Sequence, residues 1–533
     1  MRHFQRLNRR PFFLLYSLLL FLAVLLLPLG EAEAYSFNLP ANLKRIESQS
    51  FANIIADEVV IPTSVTYIAD DAFSGTNFTA VVYRESYAYT WCLEHNIPWK
   101  YYESSASLFT YENTDNGILI NKYNGTEHTV VVPQTIDGIQ VVAIGEDAFA
   151  DNTSIVQVYL PDGLQEVGIS AFKDCTALQS IYIPDSVTMI GRISFNGCRS
   201  LKSFRYPLNL EGLSGPYYWS GPFNSECTSL KKVIVPEGVT VIPDDFFSNA
   251  VGLTEVVLPS TLTEIGRTSF VNCNNLTQIN IPDSVTIIGS YAFSGCEKLA
   301  SFHYPLSLTS TGSLGQGIFD GCTMLKEVTV PEGIEAIPDQ MFYGSSVVKV
   351  NLPSTLKTIG AYAFLGCTKL TTITPPSGLE AIGTEAFNNC SALNFFRYPA
   401  SLKRTGSGIF IDCASLKSVT VPSGVELLPA YVFNEANYLE EVSLPNTLKS
   451  ISDGAFGNCV SLRTVNIPDS VIAFGHYVFM NCPSLQTLYI SNSVTGAGDG
   501  VFDSCTALTV YCPAGSYIQL YCADSGVNWV AYP

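Results

Sequence analysis

The chain has 533 residues, 47% hydrophobic and only 14% charged, which supplies a large core and excludes a disordered chain. Acidic residues outnumber basic ones 47 to 28, giving a net charge of −19. The basic footprint of a nucleic-acid binder is missing, and attachment to an anionic membrane surface is disfavoured.

In chain order, the first element is an address. Residues 1–10 carry Arg2, Arg6, Arg9 and Arg10 and no acid, and Pro11 to Leu29 is an almost wholly apolar run. The small-x-small triplet Ala32-Glu33-Ala34 follows. This order predicts a secretory signal peptide over residues 1–34, with Tyr35 opening the exported chain. The apolar run is long for a signal, so a retained anchor is the alternative. No second run is long enough to span a membrane. A secreted or cell-surface protein is expected.

The rest is periodic. Ile183 to Leu201 and Ile281 to Leu299 both read I-P-D-S-V-x-x-I-G-x-x-x-F-x-G-C-x-x-L. A marker Phe recurs from Phe149 to Phe502, mostly every 22 to 24 residues. Units this short cannot fold alone; each buries its apolar face only against its neighbours. The fold expected is a repeat solenoid: a β-rich, right-handed stack of coils with short strands, short helical turns and capped ends. A triplet such as Val465-Asn466-Ile467 alternates in, out, in, and Pro468 ends the strand. A longer block is superposed on this. Phe204-Arg205-Tyr206-Pro207, Phe302-His303-Tyr304-Pro305 and Phe396-Arg397-Tyr398-Pro399 recur 98 and 94 residues apart.

Two segments match at their ends. Ser86 to Cys92 aligns with Ser516 to Cys522, and Trp99 with Trp529. Both read as C-terminal caps, each a short helix and a last strand. Residues 42–103 are then a short repeat array with its cap, and 104–108 a linker. Residues 109–533 form the main array: a capping hairpin over 109–133, repeats over 134–509 and a cap over 510–533.

The I-P-x-x-V-x-x-I-G-x-x-A-F-x-x-C-x-x-L pattern resembles the BspA-like leucine-rich repeat family, and the likeness runs over nearly all of the exported chain. The resemblance implies a leucine-rich-repeat solenoid. It further implies a surface-associated microbial protein, with adhesion to host or microbial proteins as the function.

Chemistry-bearing motifs are missing. The five histidines are scattered, with no zinc spacing, and no nucleophile elbow, phosphate loop or dinucleotide fingerprint occurs. No enzyme, metal or cofactor is expected. Asp70-Asp71 and Asp244-Asp245 read as solvated corner residues, and the glycines as corners needing positive φ. Twelve of the fifteen cysteines share one repeat position, replaced by Ala250, Ser345 and Ala436 elsewhere. They read as a reduced packing ladder, the slot needing a small residue and not a thiol.

The binding candidates come from geometry. The middle residue of each triplet faces solvent, and the row from Tyr159 to Tyr489 holds no Asp or Glu. Tyr159, Tyr182, Arg205, His303, Arg397 and Tyr489 are its aromatic and cationic members, the types that anchor interfaces. The inserted stretch around Tyr217, Tyr218 and Trp219 is a second candidate. The competing account is that stacked strands simply avoid like charges about 5 Å apart. The expected function is therefore binding of extracellular proteins or glycoproteins. The alternative is a structural spacer or scaffold of an extracellular layer with no specific ligand.

Overall fold

Val158 and Leu160 are fully buried on either side of Tyr159, and the same apolar-x-apolar-Pro spacing generates a short strand in coil after coil. The computed structural model describes residues 36–216, 220–310 and 317–532. The expected signal peptide and Tyr217, Tyr218 and Trp219 lie outside the described residues. Among the described residues, about 21 turns of about 23 residues have β-solenoid form. The chain divides into two compact units, 1–102 and 103–533.

In the first unit, strands Ser36–Asn38, Glu58–Val60, Thr79–Val82 and Trp99–Tyr101 form one parallel sheet. Its first coil starts at Ser36 rather than at residue 42. Phe37-Asn38-Leu39-Pro40 repeats the spacing of Val59-Val60-Ile61-Pro62, and Phe37 pairs in register with Val59. Phe51 stacks on Phe73 at 5.5 Å. Helix Tyr87–Glu94 is N-capped by Ser86, whose hydroxyl accepts from the Tyr89 N–H, and buries Ala88, Trp91 and Cys92.

The second unit opens with an antiparallel hairpin, Phe109–Thr114 against Gly117–Tyr123. The second of these strands then pairs parallel with Ile139–Ile144, turning the hairpin into the floor of the stack. Residues 104–108 are not a free linker. Ser104 is buried; its hydroxyl accepts from the Val131 N–H and donates to Glu127, and Ala106–Leu108 form a single 3-10 turn. At the other end, helix Tyr517–Ser525 and strand Asn528–Tyr532 close the stack against Thr509–Pro513.

One contiguous core runs from Phe109 to Cys522. Its spine is a ladder of sixteen Phe rings from Phe149 to Phe502, each stacked on the next at 4.7 to 6.3 Å. Beside it, every repeat cysteine donates its thiol to the Phe carbonyl one coil earlier, as Cys175 does to Phe149 at 3.1 Å.

The sheet carrying the first strand of each coil is less regular than this core. It breaks into ladders that end at Ser203–Phe204, Gln278–Ile279, Phe395–Phe396 and Thr464–Val465. The first and third ladders end on Phe-x-Tyr-Pro coils and the second ends one coil before Phe302-His303-Tyr304-Pro305; nothing in the structure explains the fourth.

Candidate binding face

Strand periodicity fixes what this sheet shows to solvent. In Lys232–Ile234 the central Val233 is buried and both flanking residues are exposed. Each strand therefore contributes two outward positions. The row from Tyr182 to Tyr489 is one of them, and it is outward as expected: Ile234, His303, Thr329, Arg397 and Tyr489 are all exposed.

Tyr159 is the exception. It is 6% exposed. The Tyr182 ring lies 6.3 Å away, Gln157 donates to its hydroxyl at 2.7 Å, and Val131 flanks it in register. Wedged between neighbouring strands, it is part of the core surface and not an open anchor.

The second outward row, two residues earlier, escaped the sequence reading. It includes Lys232, Glu255, Glu327, Lys349, Phe395 and Glu441. Its charges pair across the ladder, Lys232 with Glu255 at 2.6 Å and Lys349 with Glu327 at 2.9 Å. The face is thus not free of carboxylates; only one of its two rows is. Counting the in-out alternation one step further back would have found the second.

The candidates do not converge on one site. Tyr182 and Arg205 sit together, the guanidinium 5.1 Å from the ring centroid. Arg205 also donates to Asp185 at 2.8 Å, and this guanidinium holds the Asp185 carboxyl below its ordinary value. One block later, His303 Nε2 lies 2.9 Å from Asp283 and lowers that carboxyl in the same way. Arg397 stands apart and exposed. Tyr489 stacks on Tyr511 at 4.9 Å, a partner that the sequence reading did not single out.

Two shallow grooves lie where the sheet is broken. One, of about 400 Å3, lies between Ser203–Tyr206 and Lys232–Pro236; the other, of about 390 Å3, between Asn394–Ala400 and Ser418–Pro422. Both are floored by the Phe and Tyr of the Phe-Arg-Tyr-Pro segment. The hydroxyls of Tyr206, Tyr304 and Tyr398 are buried without a hydrogen-bond partner.

The reactive groups elsewhere are committed to structure. Among the described residues no cluster of His, Cys, Asp and Glu could hold a metal ion. All fifteen cysteines are free, and fourteen are buried. Asp245 is not the solvated corner residue expected. It is fully buried and bonded to Arg192 at 2.7 Å, and it accepts from the Thr268 hydroxyl. Asp70 and Asp244 do remain solvated.

A family model for the BspA type leucine-rich repeat region matches residues 31–96, 130–217, 220–314, 309–417 and 404–523. No curated protein matches the chain. Among solved structures, a leucine-rich repeat protein of Bacteroides ovatus is 24% identical, over 81% of this chain and all of its own, with a TM-score of 0.47. One of T. pallidum is 32% identical over 37% of this chain and 91% of its own, with a TM-score of 0.33. A leucine-rich cell surface protein of Faecalibacterium prausnitzii is 25% identical over 79% and 97%, with a TM-score of 0.29.

Proposed function

On the premise that this chain belongs to the BspA-type leucine-rich repeat family, we propose that it is a non-catalytic adhesion protein. Residues 1–34 would export it, and its outward sheet face would bind extracellular proteins or glycoproteins at the cell surface.

One observation carries this reading. Large apolar side chains stand in the open on the outward face: Ile234 is 59% and Tyr489 61% exposed. Anchors of this kind on a rigid ladder contribute to binding without paying to be ordered first. A solenoid offers them along a continuous surface.

Capture from mucus, serum and matrix extracts tests the reading. The chain is expected to retain specific partners, and the combined variant Tyr182→Ala, Arg205→Ala, Ile234→Ala and Tyr489→Ala to lose them. Unchanged capture by the variant would remove the face from the function. A spacer role is favoured by one feature only, the internal pairing of Lys232, Lys349 and Arg205 with carboxylates of this chain. On that reading neither form captures anything.

A further inference from the structure

The three Phe-x-Tyr-Pro coils are copies of one unit, and the third departs from the other two where it meets solvent. In the first copy Arg205 is bonded to Asp185 and to the Ile183 carbonyl, each at 2.8 Å. In the second, His303 faces Asp283. In the third, Ser377 occupies the aspartate position, and the exposed Arg397 has no carboxylate partner among the described residues. The outward residue two places earlier is Ser203 in the first copy and Ser301 in the second. In the third it is Phe395, 53% exposed.

Strand periodicity puts Phe395 and Arg397 on one face, about 6–7 Å apart along the chain. The flanking coils present Thr372, Thr374, Ser418 and Thr420 on that face, hydroxyls with no carboxylate among them. The groove of about 390 Å3 lies beside them. Its floor is closed: Phe396 is 4% and Tyr398 3% exposed.

We infer that this groove binds a carboxylate-bearing pyranose, a hexuronate of an acidic glycan. A planar guanidinium matches a carboxylate in two parallel hydrogen bonds. An exposed phenyl ring fits the apolar C–H face of a pyranose, and the rim hydroxyls fit its hydroxyls. An acidic peptide fits less well, because the sealed floor leaves no cleft for an apolar side-chain anchor. The net charge of −19 opposes a polyanion at long range. At 0.15 M salt that field is screened beyond about 8 Å, so the local patch decides.

The inference rests on the outward face being a binding surface, and its test separates the two. The full chain is passed over immobilised polygalacturonate, with dextran and poly-glutamate as parallel arms. Retention on polygalacturonate alone is expected. Ser377→Asp, which restores the pairing found at Asp185–Arg205, is expected to weaken retention about tenfold or more. Phe395→Ser, which restores the residue of the other two copies, is expected to do the same. Circular dichroism verifies that both variants fold, and Arg397→Gln stands in if either does not. Retention on dextran, retention on poly-glutamate only, or full retention of the folded variants would each overturn the inference. If polygalacturonate fails while extract capture by the face persists, the sugar site falls and the adhesion reading stands.

Discussion

A slot that tolerates Ala250 and Ser345 need hold only something small, yet the twelve thiols there do more than fill space. Each repeat Sγ lies 2.9 to 3.2 Å from a Phe carbonyl of the preceding coil, supplying a buried donor. The I-G glycine is likewise not a positive-φ corner. A Cβ on Gly191 would stand 2.2 Å from the Gly168 backbone carbon, so the coils' close approach excludes a side chain. Burial pushes the thiols of Cys175, Cys273, Cys322, Cys413 and Cys459 up to about 12 from an ordinary 9.0. Folding therefore holds these protons more tightly than the unfolded chain does. Stability from this source is intact below pH 9 and lost as pH rises from 9 towards 12, at up to about 1.4 kcal/mol per thiol per unit. Thermal unfolding followed across that window is expected to show a steep fall, and a flat profile would refute the buried protons. Cys505 differs, being only half-buried, with its thiol held below its ordinary value by the side-chain hydrogen bond it shares with Cys482. Iodoacetamide at pH 8 is expected to label Cys505 first, with the rest of the ladder labelled only after unfolding, as read by peptide mass spectrometry.

At the scale of the coil, an ion pair that sequence patterning does not show joins the coils that flank the inserted stretch. Arg192 and Asp245 are 53 positions apart, and Arg192 also donates to the Ser220 carbonyl at 2.8 Å. The pair thus ties together the coils on either side of the insertion. Asp245→Ala would strand a buried guanidinium and is expected to cost about 3–5 kcal/mol, whereas Arg192→Met with Asp245→Leu should recover most of that. Denaturant titration of both variants decides it, and a double variant as damaged as the single one would show that the charges are needed for themselves. The same coil shows where sequence reading stops. The in-out triplets, the Phe ladder and the longer block of 94 to 98 residues follow from spacing, because spacing alone sets which side chains point inward. The burial of Tyr159 and Asp245 depends on partners supplied by other coils, which no single-coil pattern encodes. The unpaired Arg397 was legible as a residue type. Its missing aspartate shows only when Ser377 is aligned with Asp185 and Asp283 across the three copies.

At the scale of the whole second unit, an unbroken core contrasts with an interrupted sheet, which makes the ends decisive. A stack of coils has no intrinsic terminus, and its last strand offers bare edge groups and an apolar floor. Here the Phe ladder begins on Tyr123, stacked on Phe149 at 5.3 Å, and ends with Tyr521 edge-on to Phe502. Strand Asn528–Tyr532 covers the edge of Thr509–Pro513, and helix Tyr517–Ser525 buries Ile518 and Cys522 over the floor. The first unit closes in the same way, with Ser86 and Ser516 as matching N-caps and Trp99 and Trp529 in matching last strands. If the cap is a module whose only task is closure, the two are interchangeable. Deleting residues 516–533 is expected to expose Val510 and Cys512 and to convert the protein into aggregates on size-exclusion chromatography with light scattering. Grafting residues 86–103 in their place is expected to restore a species of unchanged size with a melting temperature near the parent's. A deletion that stays dispersed would mean that the stack needs no closure there, and a graft that fails while the parent is intact would mean that its end is held by contacts particular to Tyr517–Tyr532. The first outcome would also weaken the edge argument itself, since strand Thr509–Pro513 would then tolerate an open row of N–H and C=O groups beside an apolar floor.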